Sequence, residues 1–477
     1  MTDLPAQLFL NGKFCAAQNG AAIPQINPAN GQPFVEVAAA GLPEVEVAVA
    51  GAQHAFEQGW RDLPPGRRTD VLFNVARLIR ENLETLAQLE SRNVGKPITD
   101  ARDEIALGAR IFEYYAGAVT KFFGQTIPVA RGGFDFTLRQ PMGVVAAIVP
   151  WNFPFPIACW KTAPALAAGN TVVLKPASAS PLTALLLGRL AVEAGLPPGV
   201  LQVLPGAGGE IGDALVRHPL VRKISFTGST EIGARIMAMA APQLKRVSLE
   251  LGGKSPNIVF ADADLDQAAA SAPMSVFANT GQDCCARSRV FVEQKVFDRF
   301  VDRFIEATRK LRIGDPALDS TQIGPLVSAR QRDISEEFIA EAKGRGRRLA
   351  LGGTRPLDQG YFLSPAVLLD VEPEDRVWRE EVFGPVVCIR PFADEGQMLR
   401  EVNESRYGLS ASLWTNDLKR AIRLARQIES GVLSVNSHSS VHVEAPFGGF
   451  KQSGLGRDLG MAAMEGYTEL KNVYVAE

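Results

Sequence analysis

The sequence predicts an α/β chain whose core is a doubly wound, parallel sheet. Two observations carry that expectation. Short, largely apolar runs at 144–149, 171–174, 200–204 and 224–226, bounded by Gly, Pro or Asn, have the length and composition of strands buried on both faces. Longer helical stretches fall between them, such as 181–194, which Pro181 opens and Gly195 closes. Strand and helix in alternation build βαβ units, and such units assemble parallel sheets.

The pattern restarts after Gly252-Gly253, where a second α/β half begins. Strands are expected there at 257–260, 289–292 and 386–389, separated by helices at 297–311 and 328–343. Two segments fit neither half. Residues 121–140 and 467–475 alternate apolar and polar positions, as exposed strands do. An unpaired strand edge invites association, so these segments are expected to pair with each other and with a second subunit.

A chain of 477 residues forms one large compound fold or about three domains. With 50 Lys plus Arg against 52 Asp plus Glu, 46% hydrophobic and 21% charged residues, it folds rather than staying disordered. Balanced charge removes the electrostatic reason to expect nucleic acid or an anionic membrane as partner. The one dense basic run, 343–348, reads as a solvated turn. No apolar stretch approaches the roughly 20 residues that span a bilayer, and the first residues lack the basic and apolar regions of a signal peptide. Five cysteines, at 15, 159, 284, 285 and 388, are too scattered for a disulfide framework, so free thiols in a reducing cytoplasm are expected. His438 and His442 stand four apart but lack a supporting ligand set, and no metal is expected.

Four segments could carry chemistry. In Gly281-Gln282-Asp283-Cys284-Cys285, a thiolate nucleophile would need backbone N–H groups or a helix start to lower its pKa; small core filling is the alternative. Glu250 follows an apolar run and precedes a glycine pair, a strand end where active-site groups of α/β sheets gather. It could serve as general base for water, or as a capping or surface residue. Asn152, between Pro150 and Pro154, could be a preorganised donor to an oxyanion, or part of a rigid turn. Phe226-Thr227-Gly228-Ser229 ends a strand and opens a helix, a setting suited to a phosphate. The usual Gly-x-Gly-x-x-Gly fingerprint is absent, and 206–212 reads as a turn. Lys175 could reach a ribose or phosphate, or be solvated.

These segments together carry a resemblance. Pro150-Trp151-Asn152-Phe153-Pro154, Leu174-Lys175-Pro176, Phe226-Thr227-Gly228-Ser229, Glu250-Leu251-Gly252-Gly253-Lys254, Gly281-Gln282-Asp283-Cys284 and Glu381-Val382-Phe383-Gly384-Pro385 stand in the order found in the aldehyde dehydrogenase superfamily. The run 446–454 belongs to the same pattern, and the match spans nearly the whole chain. The resemblance implies a Rossmann-like dinucleotide-binding domain (1–120 and 141–251), an α/β catalytic domain (252–452) and a small β oligomerisation element (121–140 and 453–477) of a homodimer or homotetramer. It implies that Cys284 attacks an aldehyde, with Asn152 and the Cys284 N–H holding the oxyanion. Hydride would pass to NAD or NADP, and Glu250 would activate the water that frees the acid.

By the same resemblance, Lys175 holds the adenosine ribose, Trp151, Gly228 and Ser229 lie near the diphosphate, and Glu381 with Phe383 grips the nicotinamide ribose. Strictly NAD-using relatives often carry Glu where Ser178 stands, so acceptance of NADP is expected. Phe153, Trp160, Asp283 and Cys285 would border the aldehyde, with aromatic walls like those of amino-aldehyde and betaine-aldehyde enzymes. An amino-aldehyde or other small aldehyde is therefore expected; a semialdehyde or aromatic aldehyde is the alternative. Arg287 is expected in a structural ion pair, with a substrate carboxylate as its other possible partner. A catalytically silent homologue is the reading outside this class.

Overall fold

The computed structural model describes residues 6–476. Its first sheet has eight strands. Five of them form a parallel core in the spatial order Leu201–Val203, Thr171–Lys175, Val144–Ile148, Val221–Thr227, Arg246–Glu250. Numbered along the chain, that order is 3-2-1-4-5, so the winding reverses between Val144–Ile148 and Val221–Thr227. Loops leaving the carboxyl ends of those two strands diverge and open a crevice, the usual ligand position in such sheets. The loop 149–153 and the turn Gly228-Ser229 are the two that flank it.

The helix Pro154–Ala167 follows the first of these loops and is buried at every residue. Pro154 and Pro156 preset its first turn. Its Phe155 N–H donates to the carboxyl of Glu90 at 3.1 Å, which places a buried acceptor at the positive end of the helix. The helix Thr230–Ala240 starts directly after Gly228, capped by Ser229, whose hydroxyl accepts from the Ile232 N–H at 3.4 Å.

The second sheet runs Arg348–Leu351, Ala366–Leu369, Val386–Phe392, Arg289–Glu293, Pro256–Val259, Ser410–Trp414, Val432–Val435. All neighbours are parallel except the first pair. Helices Phe297–Arg309 and Ala329–Gly344 lie within this half, the former burying Phe300, Val301 and Phe304. A third sheet joins Thr468–Val475 to Phe134–Pro141 over eight register pairs, with Thr126–Ile127 at the other edge. Phe134, Leu138, Leu470 and Tyr474 remain exposed on it.

Three expectations need correction. Gly454–Leu455, expected in the oligomerisation element, instead pairs antiparallel with Arg246–Glu250 and extends the first sheet. Glycine makes that approach possible, because a Cβ at Gly454 would sit 2.2 Å from the Leu249 carbonyl oxygen. Residues 208–212 form a helical turn continuing into Asp213–Arg217, because Ile211, Leu215 and Val216 have a core to enter. The basic run does turn at Gly346, but Arg345 and Arg347 lie 2.8 and 2.7 Å from the buried carboxylate of Asp375. Charges that neutralise a buried acid are structural rather than merely solvated. No helix of the described residues is long and apolar enough to cross a membrane.

Candidate active site

Two cavities meet at one thiol. The first, about 270 Å³, is bordered by Trp151, Asn152, Gly228, Ser229, Glu381 and Phe383 at the mouth of the crevice between the sheets. The second, about 590 Å³, contains Phe153, Trp160, Asp283 and Cys285 in its wall. Cys284 alone among the described residues borders both.

The loop that carries Cys284 is held by an unusual backbone. Asn279, Thr280 and Gly281 are successively left-handed, with φ of +49°, +58° and +73°. Gly281 cannot be replaced easily, since a Cβ there would lie 2.2 Å from the Gly384 carbonyl oxygen. Strain at two non-glycine residues persists because the loop is tied on several sides. The Asn279 amide donates to the Asn152 carbonyl at 2.9 Å, and Thr280 Oγ1 donates to the Gly324 carbonyl at 2.9 Å.

Asn152 is fixed from both ends. Its backbone carbonyl accepts from Lys96 Nζ at 2.9 Å as well as from Asn279, and its Nδ2 donates to the Gln282 carbonyl at 3.0 Å. A side-chain amide carries two N–H groups, so one remains to meet an oxyanion beside Cys284. Replacing Asn152 by Ala is expected to lower kcat/KM by about 10²–10³, as loss of one oxyanion donor does. Steady-state kinetics with unchanged NAD+ binding would check it.

Glu250 ends the fifth parallel strand, buried, with no hydrogen-bond partner for either carboxylate oxygen among the described residues. Burial, reinforced by Asp458, pushes its pKa well above the usual carboxylate range; Lys161 and Arg457 offset this in part. It borders neither cavity directly: Gly448 lies against it, where a Cβ would stand 2.6 Å from Glu250 Oε1. Lys161 Nζ meets Asp458 at 2.7 Å and Ser225 Oγ at 3.2 Å.

Burial also pushes Glu381 up to about 7, although the Gly253 N–H donates to it at 3.0 Å. Trp151 and Phe383 meet edge to face at 5.3 Å across the smaller cavity. Helix-start amides, a carboxylate able to accept ribose hydroxyls and an aromatic pair fit a dinucleotide. Gly228 and Gly252 keep that crevice open: a Cβ at Gly252 would reach within 2.3 Å of the Glu381 carboxylate. Lys175 and Ser178 lie outside both linings. Lys175 is buried, donates to the Pro176 carbonyl at 2.9 Å, and is pulled down to about 8 by desolvation. Ser178 Oγ donates to the Gly206 carbonyl at 2.9 Å.

The structure corrects the expected role of Arg287 and adds residues the sequence did not single out. Arg287 is buried without a carboxylate at ion-pair distance among the described residues. Its guanidinium instead donates to Ser412 Oγ at 2.8 Å, Ser410 Oγ and Ser440 Oγ at 2.5 Å, the Ala411 carbonyl at 3.4 Å and the Cys285 carbonyl. Neutral acceptors satisfy all five N–H groups, so the Cys284–Cys285 loop, the strand Ser410–Trp414 and the loop 437–443 are fastened together. Lys96 pairs with Glu104 and lies 4.2 Å over the Phe153 ring. Glu104 faces the larger cavity, raised to about 8 by burial. One signal was available for Lys161: it is the only charge in an otherwise apolar helix, a placement that demands a partner.

A cysteine standing between a dinucleotide crevice and a second chamber is the arrangement of a cysteine-dependent oxidoreductase, and the neighbouring Cys285 together with burial holds the resting Cys284 thiol well above the usual thiol range. The chain matches the aldehyde dehydrogenase family over residues 14–473, and it belongs to that family as an NAD(P)-dependent aldehyde dehydrogenase. It is similar to an aldehyde dehydrogenase of Emericella nidulans, 43% identical over 473 residues, covering 99% of this chain and 95% of that one. Among solved structures it resembles the indole-3-acetaldehyde dehydrogenase of P. syringae in complex with NAD+ and IAA (TM-score 0.98, 40% identity, 99% and 97% covered). An NADP-dependent enzyme of E. coli is similar too, at TM-score 0.98 and 40% identity, with 100% of each chain covered.

Proposed function

We propose that this chain oxidises an aldehyde to the free carboxylic acid through a thioester on Cys284. The position of Cys284 on both cavities carries the reading: a carbon bound to its sulfur faces the dinucleotide on one side and keeps its tail in the chamber on the other. The thiolate adds to the aldehyde carbon, and the oxyanion takes hydrogen bonds from the Asn152 amide and the Cys284 N–H. The bound dinucleotide supplies the hydride acceptor. Collapse of the oxyanion then leaves a thioester. Glu250 takes a proton from water, the hydroxyl adds to the acyl carbon, and the thiolate leaves with the acid released.

For the substrate, an aldehyde with an apolar or aromatic tail fits best. Trp160 and Phe447 stack at 5.5 Å in a chamber also walled by Leu107, Ile157 and Met274. The amino-aldehyde is the second reading, favoured by Asp283 and Glu104 in the same wall. Against it, Lys96 already lies over Phe153, and Arg287 brings an unpaired cation. Ser178 supports acceptance of NADP, because no carboxylate stands there to repel a 2′-phosphate. The free cysteines suit the cytoplasm, and the apolar side chains exposed on the two faces of the third sheet, Phe134 and Leu138 on one and Leu470 and Tyr474 on the other, suit burial in a homodimer or homotetramer.

The experiment is reduction of NAD+ and NADP+ across 4-aminobutanal, betaine aldehyde, succinic semialdehyde, benzaldehyde and a long alkanal, without coenzyme A. Highest kcat/KM for benzaldehyde or the alkanal supports the apolar reading; 4-aminobutanal leading by tenfold would replace it. In the same assay Ser178→Glu is expected to raise the KM for NADP+ by about tenfold or more, the scale of one close like-charge contact, and to spare NAD+.

A further inference from the structure

The loop that carries the nucleophile also brings together three metal-ligating side chains. One oxygen of Asp283, Cys284 Sγ and Cys285 Sγ all lie within 4.8 Å of one another. All three border the 590 Å³ chamber. The Cys285 N–H donates to Asp283 Oδ1 at 2.8 Å, which folds the carboxylate back toward the thiols. We propose that this triad is a Zn2+ site whose occupation reversibly masks the catalytic cysteine.

Two thiolates and a carboxylate form a donor set suited to Zn2+, and a tetrahedral ion holds such donors at about 2.0–2.3 Å. Ligand atoms then stand roughly 3.5–3.8 Å apart, by tetrahedral geometry from those bond lengths. Side-chain rotation that closes the present spacing by about 1 Å completes the three protein ligands. The fourth position opens into the chamber, where water enters. Both thiols give up their protons as the ion binds: Zn2+ plus two thiols yields a dithiolate complex and two H+. Three negative ligands outweigh the ion's two charges, so the complex also sits well beside the cations of Arg287 and Lys96. One Cys284 lone pair is then donated to the ion, which lowers the nucleophilicity of the sulfur, and the ion with its water stands where an aldehyde carbon would have to approach.

The masking half of the proposal rests on Cys284 being the nucleophile; the binding half does not, and the test separates them. Full-length protein, reduced with a phosphine and freed of metal, is titrated with Zn2+ against a chromophoric chelator. Cd2+ serves as a second probe through its thiolate charge-transfer absorption. One ion per subunit is expected, with affinity at least tenfold weaker in Cys285→Ser and in Asp283→Asn. Zn2+ should slow alkylation of Cys284 by iodoacetamide and inhibit turnover, each reversed by EDTA and each judged against the same variant without metal. Circular dichroism checks that each variant is folded, and either one suffices. Zn2+ binding unchanged in both variants, or alkylation of Cys284 unaffected by saturating Zn2+, would overturn the site. Tight binding and blocked alkylation in a protein that oxidises no aldehyde would leave the site standing and remove the oxidation reading instead.

Discussion

Cys284→Ala is expected to cut aldehyde-dependent reduction of NAD+ by at least a factor of about a thousand, the scale seen when a covalent nucleophile is removed. The expectation follows from position as much as from chemistry. No other described residue borders both the dinucleotide crevice and the chamber, so no neighbour can hold a carbonyl carbon where its hydride faces the crevice. Cys285 has a thiol one residue away, but it borders the chamber only. The substitution removes one sulfur and leaves Gly228, Ser229, Glu381 and Phe383 in place, so NAD+ should still raise the melting temperature by the wild-type amount. Loss of turnover with retained thermal shift separates a missing nucleophile from a damaged fold. Turnover within tenfold of wild type would assign the chemistry to another group.

Much of this architecture was legible in the chain, for identifiable reasons. A buried parallel strand must be apolar throughout, so 144–149 and 171–174 announced themselves, and the structure has strands at Val144–Ile148 and Thr171–Lys175. The motifs around Asn152, Glu250 and Cys284 were visible because each combines a reactive side chain with Gly or Pro, which constrain backbone locally. What stayed hidden depends on pairs distant in sequence. Lys96 and Asn152 are 56 residues apart, Lys161 and Asp458 297 apart, and neither partner predicts the other without the fold. Arg287 shows a different limit. A buried arginine is ordinarily assigned a carboxylate, yet three serines and two carbonyls replace it, a substitution visible only once Ser410–Trp414 and the loop 437–443 are seen around it. The short pairing of Gly454–Leu455 was equally hidden, since two residues carry no periodicity.

Glu250→Gln is expected to separate the two halves of the reaction. In the proposed reaction, hydride transfer uses Cys284 and Asn152 but no base for water, so the variant should form NADH in a rapid burst approaching one equivalent per subunit. Steady turnover should then fall by about 10²–10⁴, the contribution of a positioned general base. The pH dependence has a definite sign. Because burial holds the Glu250 carboxyl protonated to higher pH than an ordinary glutamate, its base form grows as pH rises through that raised pKa. Wild-type steady turnover, where thioester hydrolysis limits it, should therefore increase with pH across that range, and the Gln variant should lose that increase. Hydroxylamine, which attacks a thioester without a base, should restore turnover in Glu250→Gln far more than in wild type. Rapid-mixing absorbance at the NADH band reads the burst and the steady phase in one trace. A variant with no burst, and with its first turnover slowed as much as later ones, would move Glu250 to a step before hydride transfer. The base for water would then have to be sought elsewhere along the chamber wall, where Glu104 is the carboxyl raised to about 8.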